Sequence, residues 1–158
     1  MRILGIDPGV ERVGIAVIEK TDSKEELLYS DCFTTPPQDM QSKRLSAIGD
    51  ELRRIISKFK PSHLAIETLF FSKNQKTAMM VAEARGVILC EAERGGLAVF
   101  EYSPLQIKTT ITGYGKADKR QVEMMVGKLI HINKTIRYDD EFDAIAIALT
   151  CGASLKNI

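Results

Sequence analysis

No charge of one sign dominates this 158-residue chain, whose 22 Lys and Arg nearly balance 21 Asp and Glu for a formal net charge of +1. A surface coated in positive charge is thereby excluded, so any affinity for nucleic acid must come from a local patch. Cysteine is scarce: Cys32, Cys90 and Cys151 are odd in number, far apart and without a CxxC pair. Neither a disulfide framework nor a zinc site is suggested, and a reducing cytoplasm is the expected location. His63 and His131 have no second His or Cys at ligand spacing, which leaves them surface or packing roles. No apolar run is long enough to cross a bilayer, and the opening Met1-Arg2-Ile3-Leu4-Gly5-Ile6-Asp7 is too short for a secretory signal. No membrane partner is expected. Internal repeats, low-complexity linkers and a Walker-type phosphate loop are missing too.

What remains is an ordinary globular composition, with 44% hydrophobic and 27% charged residues, and a length that suits one domain over residues 1–158. Three strand-like segments come first, at residues 2–7, 13–20 and 27–35, separated by Asp-Pro-Gly and a charged turn, and they predict an antiparallel meander. Leu45, Ile48, Leu52, Ile55, Ile56 and Phe59 then recur at three- and four-residue steps, predicting an amphipathic helix that ends before Pro61. A short apolar strand over 63–67, a helix over about 74–94 stopped by Gly95-Gly96, and a strand over 98–102 follow. The remainder is helical around a loop at 112–117. One amphipathic helix carries Val122, Met125, Val126, Leu129 and Ile130, and a last helix starts near Asp140. Phe142 and the run 144–149 make that last helix apolar on every side, so it is expected to be buried between the sheet and other helices. The order βββαβα followed by helices predicts an α/β fold with a five-stranded mixed sheet, three strands antiparallel and two parallel, flanked by helices.

Asp7 and Glu67 each end an apolar strand, placing a charge where a buried segment reaches the sheet edge, and such charges need a partner or a metal. Asp140 and Asp143 are three residues apart at the start of the last helix, which puts them on one helical face. If that helix crosses the strand ends, four carboxylates converge. An all-oxygen set without His or Cys suits Mg²⁺ or Mn²⁺ rather than zinc, and two such ions support in-line hydrolysis of a phosphodiester. Each acid also has a plainer reading: Asp7 as a turn former, Glu67 as a surface charge, and 139–143 as acids complementing a helix N-terminus. Asp139 faces Asp143 acceptably as well, so spacing leaves the third ligand open between Asp139 and Asp140.

Two stretches, 68–82 and 102–117, contain no acid and carry Lys73, Lys76, Lys108 and Lys116, with Lys119 and Arg120 extending the second. They read either as solvated polar surface or as a basic patch, and Gly113 and Gly115 would let backbone approach a phosphate. Phe70 and Phe71 follow Glu67 and are core residues or, in a loop, a platform for a base. Ala78, Ala82, Gly86 and Cys90 form a stripe of small side chains, suited to close helix packing inside the monomer or against a second copy.

Five segments in order resemble the RuvC Holliday-junction resolvases of the ribonuclease-H-like superfamily. They are Gly5-Ile6-Asp7-Pro8-Gly9 with Gly14; Ala65-Ile66-Glu67-Thr68-Leu69-Phe70-Phe71-Ser72-Lys73-Asn74; Ala84-Arg85-Gly86-Val87; residues 102–122; and Asp140-Glu141-Phe142-Asp143-Ala144-Ile145-Ala146-Ile147-Ala148. The resemblance implies a ribonuclease-H-like fold and a catalytic, metal-binding tetrad of Asp7, Glu67, Asp140 and Asp143 with about two Mg²⁺ per subunit. It implies Lys108 and Lys119 near the scissile phosphate, Phe70 stacking at the crossover, and the small-residue helix meeting its twin in a homodimer. Paired symmetric nicks in strands of like polarity, four-way junction DNA as substrate, and work alongside the RuvA–RuvB branch-migration complex are implied as well. Val13 departs from the pattern, standing where a hydroxyl residue is expected. Alternatives are a junction-binding protein without nuclease activity, a related nuclease acting on RNA, and an actin-like nucleotide-binding domain, which would need a second lobe.

Overall fold

The computed structural model describes residues 1–69 and 75–155. Five strands, β1 (Arg2–Asp7), β2 (Arg12–Lys20), β3 (Glu25–Thr34), β4 (His63–Glu67) and β5 (Ala98–Tyr102), form one sheet in the order β3-β2-β1-β4-β5. β1 and β3 pair antiparallel with β2, while β4 runs parallel to both β1 and β5, giving the expected mixed sheet. Helices α1 (Gln41–Phe59) and α2 (Gln75–Arg94) cover one face; α3 (Pro104–Thr112), α4 (Lys119–Leu129) and α5 (Asp139–Ser154) cover the other.

Strand alternation decides which side chain meets which layer. Leu4, Ile6, Leu64 and Ile66 pack with Ile48, Leu52 and Ile55 of α1 and Ile88 of α2. Ile3 and Ala65 point the other way and pack with α5. Asp7 and Glu67 continue this second series, and they therefore emerge on the α5 side of the sheet. α5 itself is buried from Ala144 to Gly152 and lies against β1, β2 and β4, as its all-round apolarity predicts.

The helix lies so close because Gly5 and Gly14 offer no side chain beneath it. A methyl group on Gly5 would collide with the Ala144 carbonyl, and one on Gly14 with the Asp140 carbonyl. Both colliding atoms are backbone, so relief requires moving the first turns of α5 rather than turning a side chain. Gly14→Ala is expected to destabilise the fold by about 1–3 kcal/mol, as overpacking of a close contact does. A thermal melt matching that of the parent would contradict this role.

Several boundaries differ from the sequence reading, and β3 ends at Thr34 rather than residue 35. β3 begins at Glu25 because this sheet-edge strand needs burial on few of its residues, so its polar start carries no alternation. β2 starts one residue early at Arg12, and α5 at Asp139. Leu129 is half exposed at the end of α4 rather than part of its core face. The stripe on α2 leaves Ala82, Gly86 and Cys90 exposed, and a side chain added at Gly86 would meet nothing within 4 Å, so packing inside the monomer does not account for it.

Candidate metal and active centre

Asp7 and Glu67 end adjacent parallel strands whose register pairs Ile6 with Ile66, so the two carboxylates stand side by side at one edge. α5 brings its first turns over this edge, carrying Asp139, Asp140 and Asp143. α4 begins beside it, its start fixed by a capping box in which Asp118 accepts from the Gln121 backbone N–H and the Gln121 side chain accepts from the Asp118 N–H. That cap sets Lys119 in the first turn, where Nζ donates to Asp143 Oδ2 at 3.0 Å and lies 2.5 Å from Asp139 Oδ2. α3 is capped the same way by Ser103 and Gln106 and supplies Lys108. Glu67, Asp143, Lys108 and Lys119 line a common cavity of about 240 Å³, floored by Ile107 and Ile147; Asp7 and Glu67 line a second one next to it.

The electrostatics are those of acids forced together. Burial, then the charges of Asp143, Glu67 and Asp140, pushes the Asp7 carboxyl well above the usual Asp range. Glu67 is raised by burial and by Asp143, against the pull of Lys108 and Lys119. Burial also raises Asp143 and Asp140, opposed chiefly by Lys119 at the first and in part by Arg12 at the second. Asp139 moves the opposite way, held down by its hydrogen bond from Lys119. Burial tends to lower Lys119, but its bonds to Asp139 and Asp143 outweigh it and raise the ammonium pKa.

Asp139 and Asp140 therefore occupy different surroundings. Asp139 is exposed and turned to Lys119, whereas Asp140 contributes to the field on Asp7 and has Oδ2 buried, 3.1 Å from Arg12 Nε, in a geometry that makes no hydrogen bond. Among the described residues the Asp7 and Glu67 carboxylates make no hydrogen bond or ion pair, which leaves their oxygens open to a cation. A hard divalent ion matches this all-oxygen donor set and its uncompensated charge. No group of three or more Asp, Glu, His or Cys among the described residues stands ready-gathered to hold an ion. Asp140 is drawn to Arg12 and Asp143 to Lys119, as mutually repelling acids favour whatever cation lies nearest.

Lys116 and Arg120 are exposed at the entry to α4, close in sequence to Lys119. Phe70 and Lys73 lie outside the described residues, as does the side chain of Lys76. Arg12 was not singled out from sequence. Its only signal is a cation that opens the strand whose third residue, Gly14, leaves room for the Asp140 backbone.

A family model described as crossover junction endodeoxyribonuclease RuvC matches residues 3–151. The crossover junction endodeoxyribonuclease RuvC of Heliobacterium modesticaldum is 43% identical over 155 residues, covering 98% of this chain and 96% of the relative. That of Finegoldia magna is 44% identical over 149 residues, covering 94% and 91%. Among solved structures, T. thermophilus RuvC in complex with Holliday junction substrate superposes with a TM-score of 0.89 at 32% identity, covering 95% of this chain and 92% of that one. The yeast mitochondrial resolvase Ydc2, at 15% identity and a TM-score of 0.70, shares the fold. With the match spanning nearly its whole length, the chain belongs to the crossover junction endodeoxyribonuclease RuvC family.

Proposed function

We propose that this chain is a divalent-metal-dependent endonuclease that resolves four-way DNA junctions, with Asp7, Glu67, Asp140 and Asp143 as its catalytic carboxylates. The observation that carries the reading is the convergence of two strand-end acids and the first turns of α5 on one edge, with Lys108 and Lys119 beside them. Family membership supports the activity, and the T. thermophilus relative was solved with a Holliday junction substrate.

Asp7, Glu67, Asp140 and Asp143 would hold Mg²⁺, about two ions per subunit, which supplies activation of water and stabilisation of the leaving oxygen. The protein's own part is positional and electrostatic. Glycines at 5 and 14 hold α5 against the strands, so its acids sit at a fixed height over Asp7. Lys119 and Lys108 lend positive charge to the cavity where a phosphodiester would sit, and a cation there stabilises negative charge growing on phosphoryl oxygens. Ile107 and Ile147 form an apolar floor that limits water around these charges and so strengthens them. Lys116 and Arg120 extend the basic surface along the backbone of the bound strand, with Lys73 and Lys76 assigned to DNA contact from their acid-free basic stretch and Phe70 on the family pattern.

A four-way junction is two-fold symmetric, and paired nicks in like-polarity strands require two copies of the centre. The uncovered stripe of Ala82, Gly86 and Cys90 on α2, beside the two-thirds-exposed Met79, supports a homodimer through this helix. Ala82→Leu is expected to weaken dimerisation by about tenfold or more, since a bulky side chain holds two backbones apart. An undiminished dimer in equilibrium sedimentation would contradict it. RuvA–RuvB and a cytoplasmic setting follow from the same family reading.

Cleavage of a synthetic mobile four-way junction, beside linear duplex and an RNA junction of matched sequence, tests the proposal. Paired symmetric nicks on the DNA junction alone, lost in chelator, are expected. Binding without nicks in Mg²⁺ and Mn²⁺ would make this a junction-binding protein, and preferential cutting of RNA would make it a different nuclease.

A further inference from the structure

Arg44 lies on the core side of α1, four residues before Ile48, and is only 4% exposed. Its Nε donates to Thr35 Oγ1 at 2.8 Å, and that hydroxyl donates in turn to the Val10 carbonyl at 2.6 Å, so the side chain is held in place. The rest of the guanidinium is unmatched. Among the described residues neither Nη group has a hydrogen-bond partner, Nη2 is fully enclosed, and no carboxylate forms an ion pair with Arg44. A buried cation without a counter-charge is costly, and proteins rarely keep one without use.

Arg44 lines a cavity of about 350 Å³ between the β1–β2 turn and the first turns of α2. Arg12, whose side chain is about half exposed, lines the same cavity and contacts Asp140 through Nε. Two acids also border it. Asp140 has its charge met by Arg12, and Glu11 is exposed to solvent. The cavity thus joins the carboxylate cluster at Asp140, on the side away from Lys108 and Lys119. It holds one anchored, unmatched guanidinium and a second one at its mouth. Such a pair fits the oxygens of a phosphate, to which guanidinium N–H groups donate charge-assisted hydrogen bonds.

We propose that this cavity is a second phosphate subsite, in which Arg44 and Arg12 take a backbone phosphodiester of the bound DNA flanking the one that is cut. The assignment rests on the junction-nuclease reading, and it gives that centre a clamp on each side: Lys108 and Lys119 at the scissile phosphate, Arg44 and Arg12 at a neighbour. Free phosphate shares the same chemistry and serves as a probe.

The first arm titrates the wild-type protein in chelator with inorganic phosphate, against chloride at equal ionic strength, and follows the Arg44 and Arg12 Nε–H signals by NMR. Saturable shifts at both with phosphate alone are expected. An Arg44 signal that responds equally to chloride overturns the site, whether or not the protein cuts junctions. This arm needs no variant, so poor folding of Arg44→Lys does not weaken it. The second arm measures junction binding in chelator with single methylphosphonates stepped along the strand near the cut. At one flanking position wild type is expected to lose roughly tenfold in affinity while Arg44→Lys loses almost nothing further. Equal losses in both proteins at every position overturn the assignment to DNA phosphate. Phosphate shifts in a protein that cuts no junction would leave the anion site standing and sink the nuclease reading alone.

Discussion

Asp7→Asn is expected to slow junction cutting by on the order of 10³-fold or more while leaving junction affinity within about twofold at matched salt. The reason lies in where Asp7 sits. It ends β1 within the charge field of Glu67, Asp140 and Asp143, and it makes no bond to another side chain among the described residues. On the proposed reading its loss removes a ligand oxygen and a charge from the centre but no basic group from the DNA surface. Single-turnover cleavage together with gel-shift binding separates the two effects. Loss of binding with the fold intact would contradict the division of roles.

The same substitution is expected to stabilise the metal-free protein. Burial and three neighbouring acids raise the Asp7 carboxyl pKa in the folded state above its unfolded value. The folded protein then binds that proton more tightly than the unfolded chain does, so ionisation costs stability. The cost is absent below the unfolded pKa, near pH 4, grows as pH rises through the folded pKa, and stands in full above it. In chelator at neutral pH Asp7→Asn should therefore gain on the order of 1 kcal/mol, or ~2–4 °C in Tm, with the gain vanishing toward pH 4. Added Mg²⁺ should favour wild type instead, because binding to the folded state stabilises by mass action. A destabilised variant in chelator at neutral pH would show that Asp7 is a structural acid.

Lys119→Met is expected to lower the cutting rate by about 10²-fold with little change in Tm. Its ion pairs with Asp139 and Asp143 are half exposed, so they contribute little to stability. Its position in the cavity shared by Glu67, Asp143 and Lys108 is what would give it leverage on the proposed reaction. Partial recovery in Lys119→Arg would identify charge as the quantity that matters. An unchanged rate in Lys119→Met would leave Lys119 as a counter-ion for the acids only.

Much of this was legible in the sequence, for reasons that differ between elements. The strands ending in Asp7 and Glu67 announce themselves by an apolar run broken by an acid, and α5 by its lack of any polar face. β3 starts two residues before its apolar pattern does, because an edge strand tolerates Glu25 and Glu26. Asp139 and Asp140 are equivalent by spacing; only three-dimensional surroundings separate the exposed partner of Lys119 from the half-buried neighbour of Arg12. Arg44 gives no clear signal in the sequence although the four-residue series 44, 48, 52 puts it on the apolar face of α1, because a charged residue normally belongs to the polar side of such a helix. The approach of α5 to the sheet likewise depends on Gly5 and Gly14 jointly, a relation between segments more than a hundred residues apart in the chain.

The most direct test of the central claim is to count Mn²⁺ bound per subunit, by EPR on the protein held on a junction made non-hydrolysable at the cut phosphate, in wild type and in Asp7→Asn and Asp143→Asn. About two ions per subunit in wild type, with loss of one or both in each variant in parallel with loss of cutting, is the predicted result. Undiminished Mn²⁺ binding in both variants would mean that these carboxylates do not form the metal centre.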